Sequence, residues 1–270
     1  MHTEGSILSH DVGAVRVFTF SRESKRNALT PAMLKDLRSQ LQQLRRDVEE
    51  AHNAAPRSVL LTGVGQIFCA GFDLSLCQHD DTVLRDLLVL LSACIQLLQE
   101  QPLPVVISAH GAAIAGACAL LGAADCVVTT TDAKIGYPVV RLGISPAVSA
   151  PTLAQQIGVG PARVRLLDTQ LVSGLQALTL GLAHFAEPDA KSCEASALAL
   201  ATVLASKPPH AVQATRRLCQ QLAQQQEAPP KLDIEGNNTS VPSSQRALEA
   251  SLSLVEGEEG KRMLAAVWSK

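Results

Sequence analysis

The run LPVVISAHGAAIAGACALLGAADCVVTTTDAKIGYPVVRL, from Leu103 to Leu142, constrains this chain more than any other stretch. A β-branched run at 104–108 reads as a short strand, and 126–130 reads as a second. Between them stands a segment built almost wholly of Ala, Gly, Ile, Leu and Cys. The lack of bulk at Gly111, Ala112, Ala113, Ala115, Gly116 and Ala117 lets the main chain come close to something, either another main chain or a ligand. A tightly packed central helix satisfies the same pattern. Taken alone, the stretch leaves both readings open.

On either side the sequence alternates between strand and helix patterns. Residues 12–20 alternate as a half-buried strand with Gly13 at a turn, and a polar cluster at 21–27 follows. Thr30 and Pro31 suit the N-cap and first position of a helix whose Leu34, Leu37, Leu41, Leu44 and Val48 recur at three and four. Residues 58–62 form the next buried strand, turned by 63–65. The run Gln66 to Leu74 (QIFCAGFDL) then sets Gly71 between apolar residues and just ahead of Asp73. Such a turn presents backbone N–H groups to an oxygen, although an ordinary turn fits as well. Residues 81–100 carry the broad Leu stripe of an amphipathic helix. Two short helices are expected over 147–157 and 161–169. A third is capped by Ser173 and closed by Gly181, and an extended piece over 182–186 ends at Pro188. From Asp189 the pattern is helical over 190–206, 210–226, 245–255 and 259–269, with a loop over 228–244 rich in Pro, Asn and Ser. The chain thus divides into a strand–helix body, 1–188, and a helical tail, 189–270.

Bulk properties narrow the function classes. With 270 residues and 47% hydrophobic content the chain can bury a large core. A formal net charge of −2 gives no footprint for nucleic acid. The longest uncharged apolar stretch, 111–124, falls short of the roughly 20 residues of a membrane span. Seven cysteines without regular spacing read as reduced core thiols in an intracellular protein, and no Cys or His spacing suggests a metal site.

Two features in series resemble the signatures of a known family. Phe68-Cys69-Ala70-Gly71-Phe72-Asp73-Leu74 follows a strand, and the small-residue segment ending in Ala124-Asp125 comes after it at the expected distance. With Lys25-Arg26-Asn27-Ala28-Leu29, the run 137–143, the segment 173–182 and the late Glu259-Gly260, the chain resembles the crotonase superfamily of enoyl-CoA hydratases and isomerases. The resemblance implies an α/β fold, a crotonase-type spiral of ββα units with a helical C-terminal region. It also implies a homotrimer or a dimer of trimers, with the region 189–270 making trimer contacts. The ligand it implies is an acyl-CoA thioester, coenzyme A arriving as part of the substrate with no separate cofactor. The compartment implied is cytoplasmic or mitochondrial.

By matching position, the thioester oxygen would meet the backbone N–H groups of Phe72 and Gly116. Two fixed donors aimed at developing negative charge each contribute about 10² to 10³ in rate. Lys25 and Arg26 would meet the phosphates of coenzyme A, with Ala28, Ala70 and Asp73 along the rest of it. Asp73 serves equally well to hold its turn. The family's hydratases place acid–base glutamates where this chain has Ala119 and Val139, and several isomerases use the position held here by Ala147. Removal of a positioned acid or base costs about 10² to 10⁴ in rate. The polar residues nearby offer no clear replacement. Asp125, Asp132 and His110 read as structural, and Cys118 as a buried thiol. Arg141 suits either a surface ion pair or a carboxylate on the acyl group, and Ser145 or Ser149 suits a bound water. Three readings follow: an enzyme for an unusual acyl-CoA, with decarboxylation of a malonyl-type thioester the best fit; a non-catalytic binder or partner of active homologues; and a hydratase or isomerase whose acid comes from elsewhere.

Overall fold

The computed structural model describes residues 5–50, 55–78 and 80–225, and after these only 245, 248–249, 252, 257, 261–262 and 265–266. The loop expected over 228–244 and most of the two last expected helices lie outside the described residues. In chain order the strands are β1 (Ser6–Val12), β2 (Val15–Ser21), β3 (Ser58–Gly63), β4 (Val105–Ala109), β5 (Ala112–Ile114), β6 (Cys126–Thr130), β7 (Lys134–Gly136) and β8 (Phe185–Glu187). The α-helices are α1 (Pro31–Glu50), α2 (Asp81–Glu100), α3 (Gly116–Leu121), α4 (Ala150–Ile157), α5 (Val159–Leu167), α6 (Gly174–Leu180), α7 (Ala190–Ala205) and α8 (Pro209–Gln225).

Six strands form one sheet in the order β1-β2-β3-β4-β6-β8, antiparallel between β1 and β2 and parallel from there on. Side chains alternate between its two faces. Phe18, Phe20, Val59, Leu61, Val105, Ile107 and Val127 face the larger core, which α1 and α2 cover with their leucines. Val15, Val17, Leu60, Val106 and Val128 face the other way and meet α7 through Cys193, Ala197, Ala201 and Ala205. These four residues recur every fourth position, so α7 presents a stripe of small side chains and sits close to the sheet. The Ser58 hydroxyl donates to the Ala201 carbonyl at 2.9 Å across that contact. The apolar contact therefore continues across position 188, where the sequence suggested a boundary. The reason lies in α7, whose Ala stripe packs like a core layer although its composition reads like any helical tail.

A second, smaller sheet pairs β5 with β7 in parallel. The chain around Cys69 adds to its edge by a bridge to Ala113, and Val172 joins the other side at Ile135. The small-residue segment between the two strands expected in the stretch 103–142 is thus not one central helix. The stretch contains β4, β5, the six-residue α3, β6 and β7. Gly and Ala at 111–115 serve the close passage of β5 past the chain around Cys69, and helix begins only at Gly116.

Several local expectations match. The Thr30 hydroxyl accepts from the Met33 amide at 3.1 Å at the start of α1, and Ser173 and Gln176 form a reciprocal capping box at the start of α6. β1 is an addition to the sequence reading, because only Ile7 of its seven residues is buried and no apolar alternation marks it. Part of α2, Thr82–Glu100, is long and apolar enough to cross a membrane by length and composition. Here its Leu84, Leu87, Leu91, Cys94 and Leu98 are buried in the main core.

Candidate functional site

The chain around Cys69 and β5 run side by side as a short parallel ladder. The Phe68 amide donates to the His110 carbonyl at 2.8 Å, Cys69 to Ala112 at 3.0 Å, and Ile114 to Cys69 at 3.3 Å. The ladder then stops. The Gly71 carbonyl turns aside to accept from Leu29 at 2.7 Å, and the Ala115 amide turns to the Gly136 carbonyl at 2.8 Å. Two donors are left over just past this point. Among the described residues neither the Phe72 amide nor the Gly116 amide has a hydrogen-bond acceptor. The Gly116 amide is free because it opens α3, where the first N–H groups have no partner within the helix.

Both residues stand in the wall of one cavity of about 140 Å³. They are also in contact with each other. A Cβ on Gly116 would stand 2.8 Å from Cε1 of Phe72, so glycine is what lets the ring lie there. Gly71, at φ 95°, passes so near the Ile114 carbonyl that a Cβ would stand 2.7 Å from its oxygen. Between them Ala115 adopts φ 53° and ψ −113°, a conformation that L-residues rarely hold. Such strain costs about 1–3 kcal/mol and concentrates where backbone geometry is put to use. Nothing in the sequence announced it, because alanine carries no turn signal.

The cavity wall is mostly apolar. It takes Leu74, Leu88 and Leu91 from the segment before α2 and from α2 itself, Ile114 from β5, and Val139, Leu142, Ile144 and Val148 from the turns after β7. Among the lining residues there is no Asp, Glu or His. Val139 is in the wall. Ala119 is fully buried in α3 behind it, and Ala147 lies in the 3-10 turn Ala147–Ser149 without lining it. The four polar side chains in the wall are Tyr137, Arg141, Ser145 and Ser149. The Tyr137 hydroxyl donates to the Cys118 carbonyl at 3.2 Å, and burial holds its pKa well above the usual phenol value. Burial likewise pushes the Cys118 thiol up to about 12, so it carries no thiolate near neutrality.

The loop carrying Lys25, Arg26 and Ala28 lies directly beside the turn of residues 69–73. The Ala70 amide donates to the Arg26 carbonyl at 3.0 Å, and the Asp73 amide to the Leu29 carbonyl at 3.0 Å. Lys25 and Arg26 are exposed, Ala28 is half-buried, and Ala70 lines the cavity. Asp73 is turned inward. Its carboxylate meets the Arg22 guanidinium at 2.7 Å with both side chains buried, and its other oxygen accepts from the Ser75 amide at 3.2 Å. Of the two roles open to Asp73 in the sequence, holding the turn is the one its contacts show in this structure.

The sequence reading passed over Arg22 and Asn27, which fix this corner. Asn27 is fully buried at φ 54°, accepts from the Arg22 amide at 2.9 Å, and donates to the carbonyls of Val64 and Ile67 at 2.9 and 2.8 Å. The available signal was an Asn inside a polar cluster, since Asn tolerates the left-handed conformation. His110 sits at the base of the ladder with Nε2 3.2 Å from the Gly65 carbonyl, and burial lowers its pKa. Asp125 accepts from Arg216 of α8 at 2.9 Å and from the Val105 amide at 2.6 Å, and Asp132 is exposed in the turn before β7. Among the described residues no group of three or more His, Cys, Asp or Glu side chains is placed to hold a metal.

Comparison with known proteins shows the family and the fold. The family model described as enoyl-CoA hydratase/isomerase matches residues 11–259. The 2,3-dehydroadipyl-CoA hydratase of Escherichia coli is 30% identical over 211 residues, covering 77% of this chain and 78% of that protein. The short-chain-enoyl-CoA hydratase of Clostridium acetobutylicum is 28% identical over 182 residues, 66% of this chain and 67% of its own length. The crystal structure of an enoyl-CoA hydratase/isomerase from Mycobacterium paratuberculosis has the same fold, with a TM-score of 0.80 at 24% identity over 98% of this chain and 99% of that one. The chain belongs to the enoyl-CoA hydratase/isomerase family, the crotonase superfamily.

Proposed function

We propose that the protein binds an acyl-CoA thioester whose carbonyl oxygen accepts from the Phe72 and Gly116 amides, and that it hydrates ordinary enoyl-CoA barely or not at all. The observation that carries the first half is the pair of unpaired N–H groups where the ladder ends in a cavity wall. Gly116 is buried and Phe72 half-buried, and a buried donor without an acceptor costs about 1–3 kcal/mol, which a ligand oxygen would recover. The second half rests on chemistry. Hydration needs one group to activate water and another to protonate carbon, and the wall offers no carboxylic acid or imidazole. The α3 dipole adds little, since the helix has only six residues.

Two versions of this reading stand. In the catalytic version the substrate supplies the electrons. A malonyl-type thioester loses carbon dioxide, the electron pair of the broken C–C bond passes into the thioester enolate held by the two amides, and the α-carbon then takes a proton from solvent. In the other version the protein binds acyl-CoA without turnover, alone or beside active homologues, and the same lack of acid–base groups favours it. Lys25 and Arg26, exposed beside the Ala70 turn, meet the phosphates of coenzyme A, with Ala28 and Ala70 along its length. No further cofactor enters. The exposed Val203, Leu218 and Leu222, on the helices after 188, suit contact between subunits in a trimer or a dimer of trimers. The setting is intracellular, cytoplasmic or mitochondrial, in keeping with seven unpaired cysteines.

A panel of enoyl-, malonyl- and β-hydroxyacyl-CoAs incubated with the full chain and followed by mass spectrometry separates these versions, with calorimetry for binding. Binding of an acyl-CoA and weakened binding in Gly116→Ala, whose Cβ displaces the Phe72 ring, are expected. Turnover of crotonyl-CoA at ordinary hydratase rates would refute the account of the wall.

A further inference from the structure

We propose that the acyl group taken by this cavity carries a carboxylate of its own, and that Arg141 and Ser149 are the residues that select it. This rests on the thioester reading and adds the substrate class. Four polar side chains line the cavity, and two of them are already engaged: the Tyr137 hydroxyl on the Cys118 carbonyl, and Ser145 with a partner of its own. The other two are not. Arg141 is exposed in the short 3-10 turn Val140–Leu142, and among the described residues its guanidinium has neither a hydrogen-bond nor an ion-pair partner. Ser149 is only 5% exposed, yet among the described residues its hydroxyl is unpartnered, and the cavity is the space it borders.

The wall therefore combines a hydrocarbon surface with one uncompensated cation and one unpartnered hydroxyl able to donate. A plain alkyl chain would seal Ser149 away from water without a partner and leave Arg141 unused. An acyl chain ending in a carboxylate fills the apolar wall with its methylenes and offers acceptors to both. Guanidinium suits this role because its planar set of donors matches a carboxylate. Among the lining residues no acidic side chain competes for it. The phosphates of coenzyme A are the other anions such a complex contains, so the test must separate the acyl end from the nucleotide end.

Titration calorimetry on the full chain, with malonyl-, succinyl- and glutaryl-CoA set against butyryl- and hexanoyl-CoA, does this. The wild type is expected to bind at least one carboxyacyl-CoA about tenfold or more tighter than the uncharged ones, the gain of a charged hydrogen bond. Arg141→Met should abolish that preference and leave the affinity for butyryl-CoA unchanged, Arg141→Lys should keep part of it, and Ser149→Ala should reduce it severalfold. Circular dichroism checks that each variant is folded. Equal affinity for charged and uncharged acyl groups in the wild type overturns the proposal. So does an Arg141→Met variant that weakens both classes alike, which would assign the residue to the coenzyme A phosphates. Failure of every acyl-CoA, charged or not, to bind refutes the thioester reading itself and this inference with it.

Discussion

Replacing Asp73 with alanine tests whether the corner of the site is held by a buried charge pair. Arg22 and Asp73 have side-chain exposures of 4% and 9%, and their closest atoms are 2.7 Å apart. The same guanidinium nitrogen also donates to the Ala28 carbonyl at 3.1 Å, so the pair ties the loop of Lys25 and Arg26 to the turn of Phe72. Asp73→Ala strands the guanidinium away from water, a loss that costs about 3–5 kcal/mol for a buried pair. In a chain of this size that lowers the melting temperature by roughly 10 °C. Arg22→Met in the same background removes the stranded charge, so the double variant should recover about 2 kcal/mol of the summed losses. The pH dependence adds a second check. Burial raises the Asp73 pKa, but hydrogen bonds from Ser75 and Arg22 and the Arg22 charge outweigh it and hold the carboxylate below its usual range. A depressed folded pKa means that the stabilisation is full above about pH 4 and is lost as pH falls through the folded value. Urea unfolding of wild type and variant should therefore converge in acid. A loss below about 1 kcal/mol at neutral pH, the size of a surface pair, would refute the reasoning, as would a gap that persists unchanged into acid.

Other consequences can be measured directly. His110 and His184 both have pKa values lowered chiefly by burial, and Nδ1 of His184 accepts from the Val127 amide at 2.9 Å. The unfolded chain then takes up these protons first, so stability should fall as pH drops below about 6.5, and His110→Gln should flatten the profile between pH 7.5 and 5.5. Of the seven cysteines only Cys219 is exposed, while burial pushes Cys69, Cys94 and Cys118 up to about 12. A thiol reagent should label one group per chain rapidly in the native protein, and rapid labelling of several would contradict the buried assignments. Ala201→Leu puts a larger side chain under α7 against the sheet and should cost about 1–3 kcal/mol by overpacking, read from urea unfolding.

Much of the fold could be read from single residues. Thr30 before Pro31, the stripe from Leu34 to Leu44, and Ser173 paired with Gln176 give helix starts and faces, because caps and periodicity are local. The small residues around Gly71 and Gly116 pointed to a close approach of backbones, and the structure shows it as a ladder that ends in two free amides. What could not be read depends on partners distant in sequence. Arg22 looked like one charge in a polar cluster until Asp73 was placed against it 51 residues later. The left-handed turn at Ala115 is imposed by β5, β7 and the Phe72 segment together, and alanine gives no local sign of it. β1 went unseen because an edge strand with one buried residue lacks alternation, and the packing of α7 on the sheet because alanine stripes read weakly as amphipathic.

The position of α7 also bears on how the chain is made. Synthesis proceeds from the N-terminus and domains close as units. All six strands of the main sheet are complete once β8 is made, yet the face formed by Val15, Val17, Leu60, Val106 and Val128 has no cover until residues 190–205 have emerged. Until then the sheet has one side open to any apolar surface nearby. Its early vulnerability lies there, on the side away from the cavity.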